Sequence, residues 1–197
     1  MGEVIQKILY SVLEALYQEL FASVFVTCIF MVAFLYLEEH GIKKTLSNIF
    51  NRFKKDSKYR KVAFLAFYTM MILYRTLLCR SVYGRGPLAD VIGTWTLYTD
   101  DGALYTENIE NLVLFIPFTI LKMDIFGKRL VNKNKVCGYI IMATVSAFVV
   151  SLSIELLQLF LRVGTFQLSD LFFNTLGGFI GGVINYVFYC IRHRKDS

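Results

Sequence analysis

The chain has 197 residues, of which 56% are hydrophobic and 18% are charged, whereas about 25% of the residues in an ordinary soluble domain are charged. This composition argues against a separate soluble domain, and we expect one membrane domain over residues 1–197. The formal net charge is +6, but the basic residues crowd into short segments between apolar runs, so the expected partner is anionic membrane lipid and not nucleic acid.

Five apolar runs follow one another, and an α-helix needs about 20 mostly apolar residues to cross a bilayer. Ahead of them, Val4, Ile8, Val12 and Leu16 recur at steps of four, which predicts an amphipathic helix along the interface or an extension of the first span. The fold class is therefore all-α, a polytopic helical membrane protein. The predicted spans cover residues 16–37, 62–78, 103–121, 136–161 and 171–191.

The third run differs from the others because its fully apolar part, residues 112–121, is too short to cross a bilayer. An extension back to Ala103 gives sufficient length but includes Glu107 and Glu110, which at membrane depth should face protein or water. Pro117 predicts a kink inside the run. A crossing helix and a re-entrant segment therefore both stay open for residues 103–121.

The segments that connect the runs alternate in charge. Residues 38–61 contain eight Lys or Arg and residues 122–135 contain five, whereas residues 79–107 and 162–170 are not basic. Because basic segments stay on the cytoplasmic side, the N-terminus is predicted outside and the C-terminus inside. An odd number of spans agrees with this orientation.

The segment 79–107 is the largest predicted outer element. Residues 94–106 have the pattern of a hairpin around Asp100-Asp101-Gly102, and Trp95, Tyr98 and Tyr105 suit the headgroup level of a bilayer. Two interpretations stay open, a loop that only caps the helices and a lid over an outer site.

Polar and ionisable residues lie toward the predicted outer ends of several spans, where each is costly in lipid and therefore a candidate for function. Glu155, Gln158 and Arg162 follow the spacing i, i+3, i+7, which predicts one face of span four. We expect an outer-leaflet polar pocket in which Glu155 pairs with an arginine, Arg75 or Arg162; the alternative is a network that only packs helices. The candidate ligand-binding residues are Arg75, Arg80, Asn108, Asn111, Glu155, Gln158, Arg162, Asp170 and Asn174.

Small and sulfur-containing residues add two further expectations. The glycines of span five form two overlapping GxxxG patterns, which predict close packing within one chain, with dimerisation as the alternative. The four cysteines form no CxxC pair, and we predict no metal site, no cofactor and no disulfide framework. These glycines are Gly177, Gly178, Gly181 and Gly182, and the cysteines are Cys28, Cys79, Cys137 and Cys190.

Three segments, residues 108–117, 153–162 and 169–178, resemble in order and spacing the pattern of the VanZ-like family, which takes its name from a teicoplanin-resistance protein. The resemblance covers the region of about residues 70–190. It implies a multi-pass protein of the bacterial cytoplasmic membrane that lowers susceptibility to teicoplanin and other lipid-tailed glycopeptides.

Three hypotheses for the mechanism follow. The first is a non-catalytic protein whose pocket binds a lipid headgroup, a cell-wall precursor or the glycopeptide, with Arg75, Arg80 or Arg162 meeting an anionic group. The second is an intramembrane enzyme that modifies a lipid or cell-wall precursor with Glu155 as its acid or base. The third is a small lipid transporter, although the sequence contains no detectable inverted repeat. The sequence determines neither the ligand nor the oligomeric state.

Overall fold

A computed structural model describes residues 2–39, 42–78, 88–96, 98, 102, 104–130 and 136–194. Within these ranges the chain is helical and forms no strand, as the predicted fold class requires. The helices are α1 (Gly2–Gln18), α2 (Leu20–Glu39), α3 (Ile42–Lys55), α4 (Ser57–Leu73), α5 (Glu107–Leu130), α6 (Val136–Leu161) and α7 (Leu168–Arg194), and a π-helical turn, Tyr74–Leu78, continues α4.

Among the residues that the structure describes, four helical segments are long and apolar enough to cross a membrane, which makes the chain a membrane protein by composition and length. They are Leu20–Leu37, Ser57–Leu78, Val136–Leu161 and Leu168–Arg192. The third predicted span, residues 103–121, corresponds to α5, which is less apolar and has Glu107 and Glu110 in its first turn. Its 24 residues form one continuous helix through Pro117, about 36 Å long. The crossing of the membrane by α5 stays a prediction.

One glycine face of α7 packs against α5. A Cβ atom added to Gly177 would lie 2.3 Å from the carbonyl oxygen of Leu112, and one added to Gly181 would lie 2.6 Å from that of Ile116. Only a hydrogen fits at these two positions. The matched order of the two contacts means that α5 and α7 run in the same direction.

The second glycine face of α7 packs against α6. A Cβ atom on Gly178 would lie 2.1 Å from Cβ of Ala147, and one on Gly182 would lie 2.6 Å from Cβ of Ala143, so α6 and α7 run antiparallel. Both GxxxG patterns are thus used within one chain, as predicted.

The N-terminal amphipathic pattern forms a separate helix, α1, which ends before the first span begins. Glu19 is the one residue between α1 and α2 that is not helical. Val12 and Leu16 face the bundle, whereas Ile5 and Leu9 on the neighbouring part of the apolar face are exposed. The helix therefore rests on α5 with the face that carries Val12 and Leu16.

The basic segment between the first two spans contains a helix, α3, that we had expected to be a loop. Apolar residues at helical spacing, among them Ile49 and Phe53, pack it against α2 and α4. The turn into α4 is fixed on both sides. Asp56 accepts hydrogen bonds from the first turn of α4, and Arg60 donates from Nη1 to the last carbonyls of α3.

The two ends of the bundle differ in chemistry. We call the end at which α5 and α7 begin and α6 stops the polar end, and the opposite end, which carries α3, the basic end. Of the predicted hairpin, the described residues form only an isolated antiparallel bridge between Tyr98 and Leu104, and residues 97, 99–101 and 103 lie outside the described part. Residues 88–96 lie over the polar end.

Candidate functional site

One face of α6 carries buried polar side chains at the polar end. Ser151, Glu155 and Gln158 follow the spacing i, i+4, i+7 and are at most 2% exposed, in a helix that is otherwise almost entirely apolar. Because unpaired polar groups are expensive inside a membrane protein, their partners define what this face does.

Gln158 joins α6 to the π-helical turn. Its Nε2 atom donates a hydrogen bond of 2.8 Å to the backbone carbonyl of Thr76, inside that turn. The wider π turn changes the local pattern of backbone hydrogen bonds, and such turns are frequent at functional sites.

Glu155 joins α6 to the start of α7. Its Oε2 atom accepts a hydrogen bond of 2.9 Å from the backbone N–H of Gln167, the residue before α7 begins. A carboxylate at this position complements the positive end of the helix dipole. The side chain of Gln167 in turn donates to Oδ2 of Asp90 over 3.1 Å.

The first turns of α7 bring two predicted site residues into the same layer. Asp170 and Asn174 are each 3% exposed, and Asn174 donates from Nδ2 to Oγ of Ser151 over 2.9 Å. The predicted shared face of these two residues is therefore the face toward the bundle interior.

The first turn of α5 contributes two buried amides. Asn108 and Asn111 are 1% and 4% exposed, and Nδ2 of Asn108 donates a hydrogen bond of 2.7 Å to the carbonyl oxygen of Thr94. This bond attaches α5 to residues 88–96.

Several buried acceptor oxygens at the polar end have no hydrogen-bond partner among the residues that the structure describes. A buried acceptor without a donor costs about 1–3 kcal/mol, so such atoms indicate places where a donor belongs. They are Asn108 Oδ1, Gln158 Oε1, Gln167 Oε1 and Asn174 Oδ1.

Residues 88–96 form a cover over these groups. The backbone N–H of Leu168 donates to the carbonyl of Val91 over 2.9 Å. Gly93 has a φ of 71°, and a Cβ atom there would lie 2.0 Å from Oγ of Ser169. The ring of Trp95 lies 5.3 Å from that of Phe172, centroid to centroid.

Arg75 pairs with Glu110 and not with the carboxylate that we had predicted for it. The guanidinium group forms an ion pair with Oε2 of Glu110, and Oε1 of the same carboxylate accepts a hydrogen bond of 2.6 Å from Thr106. Glu155 is instead held at the start of α7.

Arg162 does not share the face of Glu155. It follows the last residue of α6, is exposed and has a φ of 56°, a left-handed conformation that ends the helix, so the helical spacing no longer applies to it. The remaining predicted arginine, Arg80, lies outside the described residues.

A small recess beside the Arg75–Glu110 pair contains a second carboxylate, that of Glu19. The side chains of Val12 and Leu16 cover it from α1. Glu19 is only 4% exposed, although it stands at the hinge between two helices.

Sequence reasoning missed five residues that act at this end. Ser151 carried a signal, because it extends the spacing of Glu155 and Gln158 back by one turn. The sequence signal for Glu110 was weaker, because it is only one of two glutamates in the third run. Asp90 and Gln167 lie outside the predicted spans and Glu19 lies near the start of the first, and tertiary structure alone brings them to this end.

Within the described ranges, no group of three or more His, Cys, Asp or Glu side chains is placed to hold a metal ion. A family model described as VanZ/LLP1 matches residues 21–189, which is most of the chain and confirms the resemblance of the three segments. No curated protein and no solved structure matches the chain.

Proposed function

The chain belongs to the VanZ-like family, and on this premise we propose that it lowers susceptibility to teicoplanin and related lipid-tailed glycopeptides by binding a molecule at the polar end. The binding is non-catalytic. The ligand supplies hydrogen-bond donors, such as the hydroxyl and amide groups of a lipid-linked cell-wall precursor or of the glycopeptide itself.

The observation that carries this proposal is the set of buried acceptor oxygens on Asn108, Gln158, Gln167 and Asn174 that lack donors among the described residues. Amide oxygens accept hydrogen bonds from hydroxyl and amide groups but repel anions. The guanidinium group of Arg75 already pairs with Glu110, which makes it a poor first anchor for a phosphate. A neutral, donor-rich headgroup therefore suits this end better than an anionic one.

Access to these oxygens requires residues 88–96 to move. Among the described residues, this segment is attached by hydrogen bonds of Leu168 to Val91, of Asn108 to Thr94 and of Gln167 to Asp90, and by the contacts of Trp95 with Phe172 and Phe173. Trp95 is half exposed, as suits an aromatic residue at the headgroup level of a bilayer. We propose that the ligand's apolar tail lies in the lipid beside Trp95 while its headgroup replaces the cover.

The orientation that serves this function has the polar end outside. It requires α5 to cross the membrane as well, which brings the number of crossing helices to the predicted five. This orientation places α3 against the cytoplasmic leaflet, with Phe50, which is 75% exposed, in the acyl chains. The exposed residues Lys54, Lys55 and Lys58 then lie among anionic headgroups, which attract basic residues by about 1 kcal/mol each.

The experiment that tests the proposal compares variants for glycopeptide susceptibility at matched expression. Glu155→Gln retains an acceptor for the Gln167 N–H and nearly the same volume, so the bundle should fold, but we expect the loss of the carboxylate charge to abolish protection. Asn174→Leu should also abolish it, because an acceptor becomes a methyl group. Ser153→Ala, on an exposed face of α6, should behave like the parent.

Two further measurements separate binding from catalysis and from packing. Glu155→Asp keeps the charge, so a binding role should keep part of the protection, whereas acid–base catalysis should lose nearly all of it because proton transfer needs close reach. Purified parent in nanodiscs should bind teicoplanin or a lipid-linked precursor and should not bind a glycopeptide without a lipid tail. Undiminished protection in both Glu155→Gln and Asn174→Leu would mean that the polar end only packs helices.

A further inference from the structure

We propose that Glu19 is a proton-binding site that controls how α1 lies on the bundle. With a neutral carboxyl group, α1 stays docked; with an ionised carboxylate, α1 is released. The inference is independent of the glycopeptide function, since it concerns a helix and a hinge that lie outside the polar groups on α6 and α7.

Glu19 stands where a change of charge can move a helix. It is the one residue between α1 and α2 that is not helical, and α2 resumes directly behind it with a hydrogen bond of 3.0 Å from the N–H of Ser23 to the carbonyl of Glu19. The helix is interrupted at this residue, and its side chain is 4% exposed.

The recess that holds the carboxyl group is apolar and small. Its free volume is about 10 Å³, which is about enough for one water molecule. An organic cation or a hydrated metal ion does not fit, whereas a proton does. The apolar lining consists of Val12, Leu16, Met71, Val113 and Leu114.

The charges around the recess do not balance when Glu19 is ionised. Among the described residues, α4 and its π turn contribute Arg75, α5 contributes Glu110, and α1 contributes no charged side chain to the lining. One guanidinium group then faces two carboxylates and already pairs with Glu110. A second buried carboxylate is left with little compensation, which favours its neutral form.

The pKa of Glu19 reflects this setting. Burial raises the pKa from 4.5 to about 7; the nearby Arg75 opposes the rise and Glu110 adds to it. The first candidate span of the structure begins at Leu20 and not at residue 16 as predicted, so Glu19 lies just before it. A carboxyl group with this pKa gives up its proton near neutral pH.

Release of α1 follows from the weakness of its other contacts. Val12 and Leu16 cover the recess, and Ile5, Leu9 and Leu13 are more than half exposed. An ionised carboxylate needs more water than the recess holds, and α1 must move away from Glu19 to admit it. The sign is fixed by linkage: a proton bound more tightly in the docked state favours docking at low pH and favours it less as pH rises.

The direct test follows the infrared absorption of protonated carboxyl groups in the full chain, reconstituted in nanodiscs, as pH is raised. We expect a component that disappears with a midpoint within about one unit of pH 7, as the pKa of Glu19 requires. Glu19→Gln should lack this component, and Glu14→Gln, an exposed carboxylate on the same helix, should retain it. A component that survives in Glu19→Gln, or a parent without it, would overturn the proposal.

The consequence for α1 is tested by hydrogen exchange of its amides, corrected for the intrinsic effect of pH. The equilibrium constant for opening of α1 should rise by up to about tenfold for each pH unit between about 4.5 and about 7, the ordinary and the raised pKa of Glu19. It should level off at higher pH, because one proton is released on opening only while the docked form is protonated. In Glu19→Gln the corrected exchange should not depend on pH. Equal pH dependence in parent and variant would show that Glu19 titrates without moving α1, and would overturn the proposed control of docking.

Discussion

The side-chain amide of Gln158 donates a hydrogen bond of 2.8 Å to the backbone carbonyl of Thr76 across the interface between α6 and the π turn that continues α4. The two residues that it joins lie 82 positions apart in the sequence. Both residues are buried, so no solvent replaces the bond when it is broken.

The first prediction concerns this bond. Gln158→Leu keeps the volume but removes the donor, and Thr76 then has a buried carbonyl without its partner. We expect a loss of about 0.6–1.7 kcal/mol, the range for hydrogen bonds between membrane helices. Thermal unfolding in detergent measures the loss, with Ser153→Ala as the exposed control on α6. Equal melting of the three proteins would show that the bond contributes nothing.

The second prediction concerns the glycine faces of α7. Gly178→Leu and Gly181→Leu each place a side chain where a Cβ atom alone already lies 2.1 Å from Ala147 or 2.6 Å from the carbonyl of Ile116. We expect each variant to lose at least about 1–3 kcal/mol of stability, because the helices must separate. Phe179→Leu changes an exposed residue between them and should melt like the parent. A glycine variant that melts at the same temperature as Phe179→Leu would contradict the close packing of α7 on α5 or α6.

The third prediction concerns orientation. In a protein without its native cysteines, Leu88→Cys at the polar end should react with a membrane-impermeant thiol reagent in intact cells, and Lys55→Cys at the basic end should react only after the membrane is opened. Both positions are exposed, so a difference reports their side of the membrane. Reversed labelling would place the polar end in the cytoplasm and remove the basis for the proposed encounter with glycopeptides.

The fourth prediction concerns the basic end. Replacement of both Lys54 and Lys55 by Gln should weaken the retention of anionic lipid by about 2 kcal/mol, since each exposed basic residue near such headgroups contributes about 1 kcal/mol. Mass spectrometry of lipid that co-purifies with the protein measures the effect. Lys7→Gln on α1, at the other end, serves as the control. Lipid retention that falls equally in the control would assign the effect to net charge alone.

Much of the fold was predictable because it depends on local patterns. Helix α6 coincides with the predicted run at residues 136–161, and α1 coincides with the four-residue apolar spacing near the N-terminus. Helix α3 was missed because its density of Lys and Arg resembles a loop between spans, although the apolar spacing of Ile49 and Phe53 was present in the sequence. Local periodicity predicts the face of a helix once a segment is accepted as helical.

The pairing of side chains between helices was less predictable. Periodicity placed Arg75 near the end of one span and Glu155 on a face of another, but it contains no information on which helices are neighbours. The structure places α4 and its π turn beside α5, and the result is that Arg75 meets Glu110. Glu19 fell near the start of the first predicted span, but its burial beside Arg75 and Glu110 likewise depends on which helices are neighbours.

The two glycine faces of α7 also limit its contact with the rest of the protein to a narrow arc. Adjacent residues such as Gly177 and Gly178 differ by about 100° around a helix, so α5 and α6 approach α7 from directions about 100° apart. The opposite arc carries Phe179 and Val187, both exposed. In a bilayer we expect acyl chains to contact this arc of α7, so that a thicker or thinner bilayer acts on the helix whose first turn contains Asp170. A change in membrane thickness is thus expected to reach the polar end through α7.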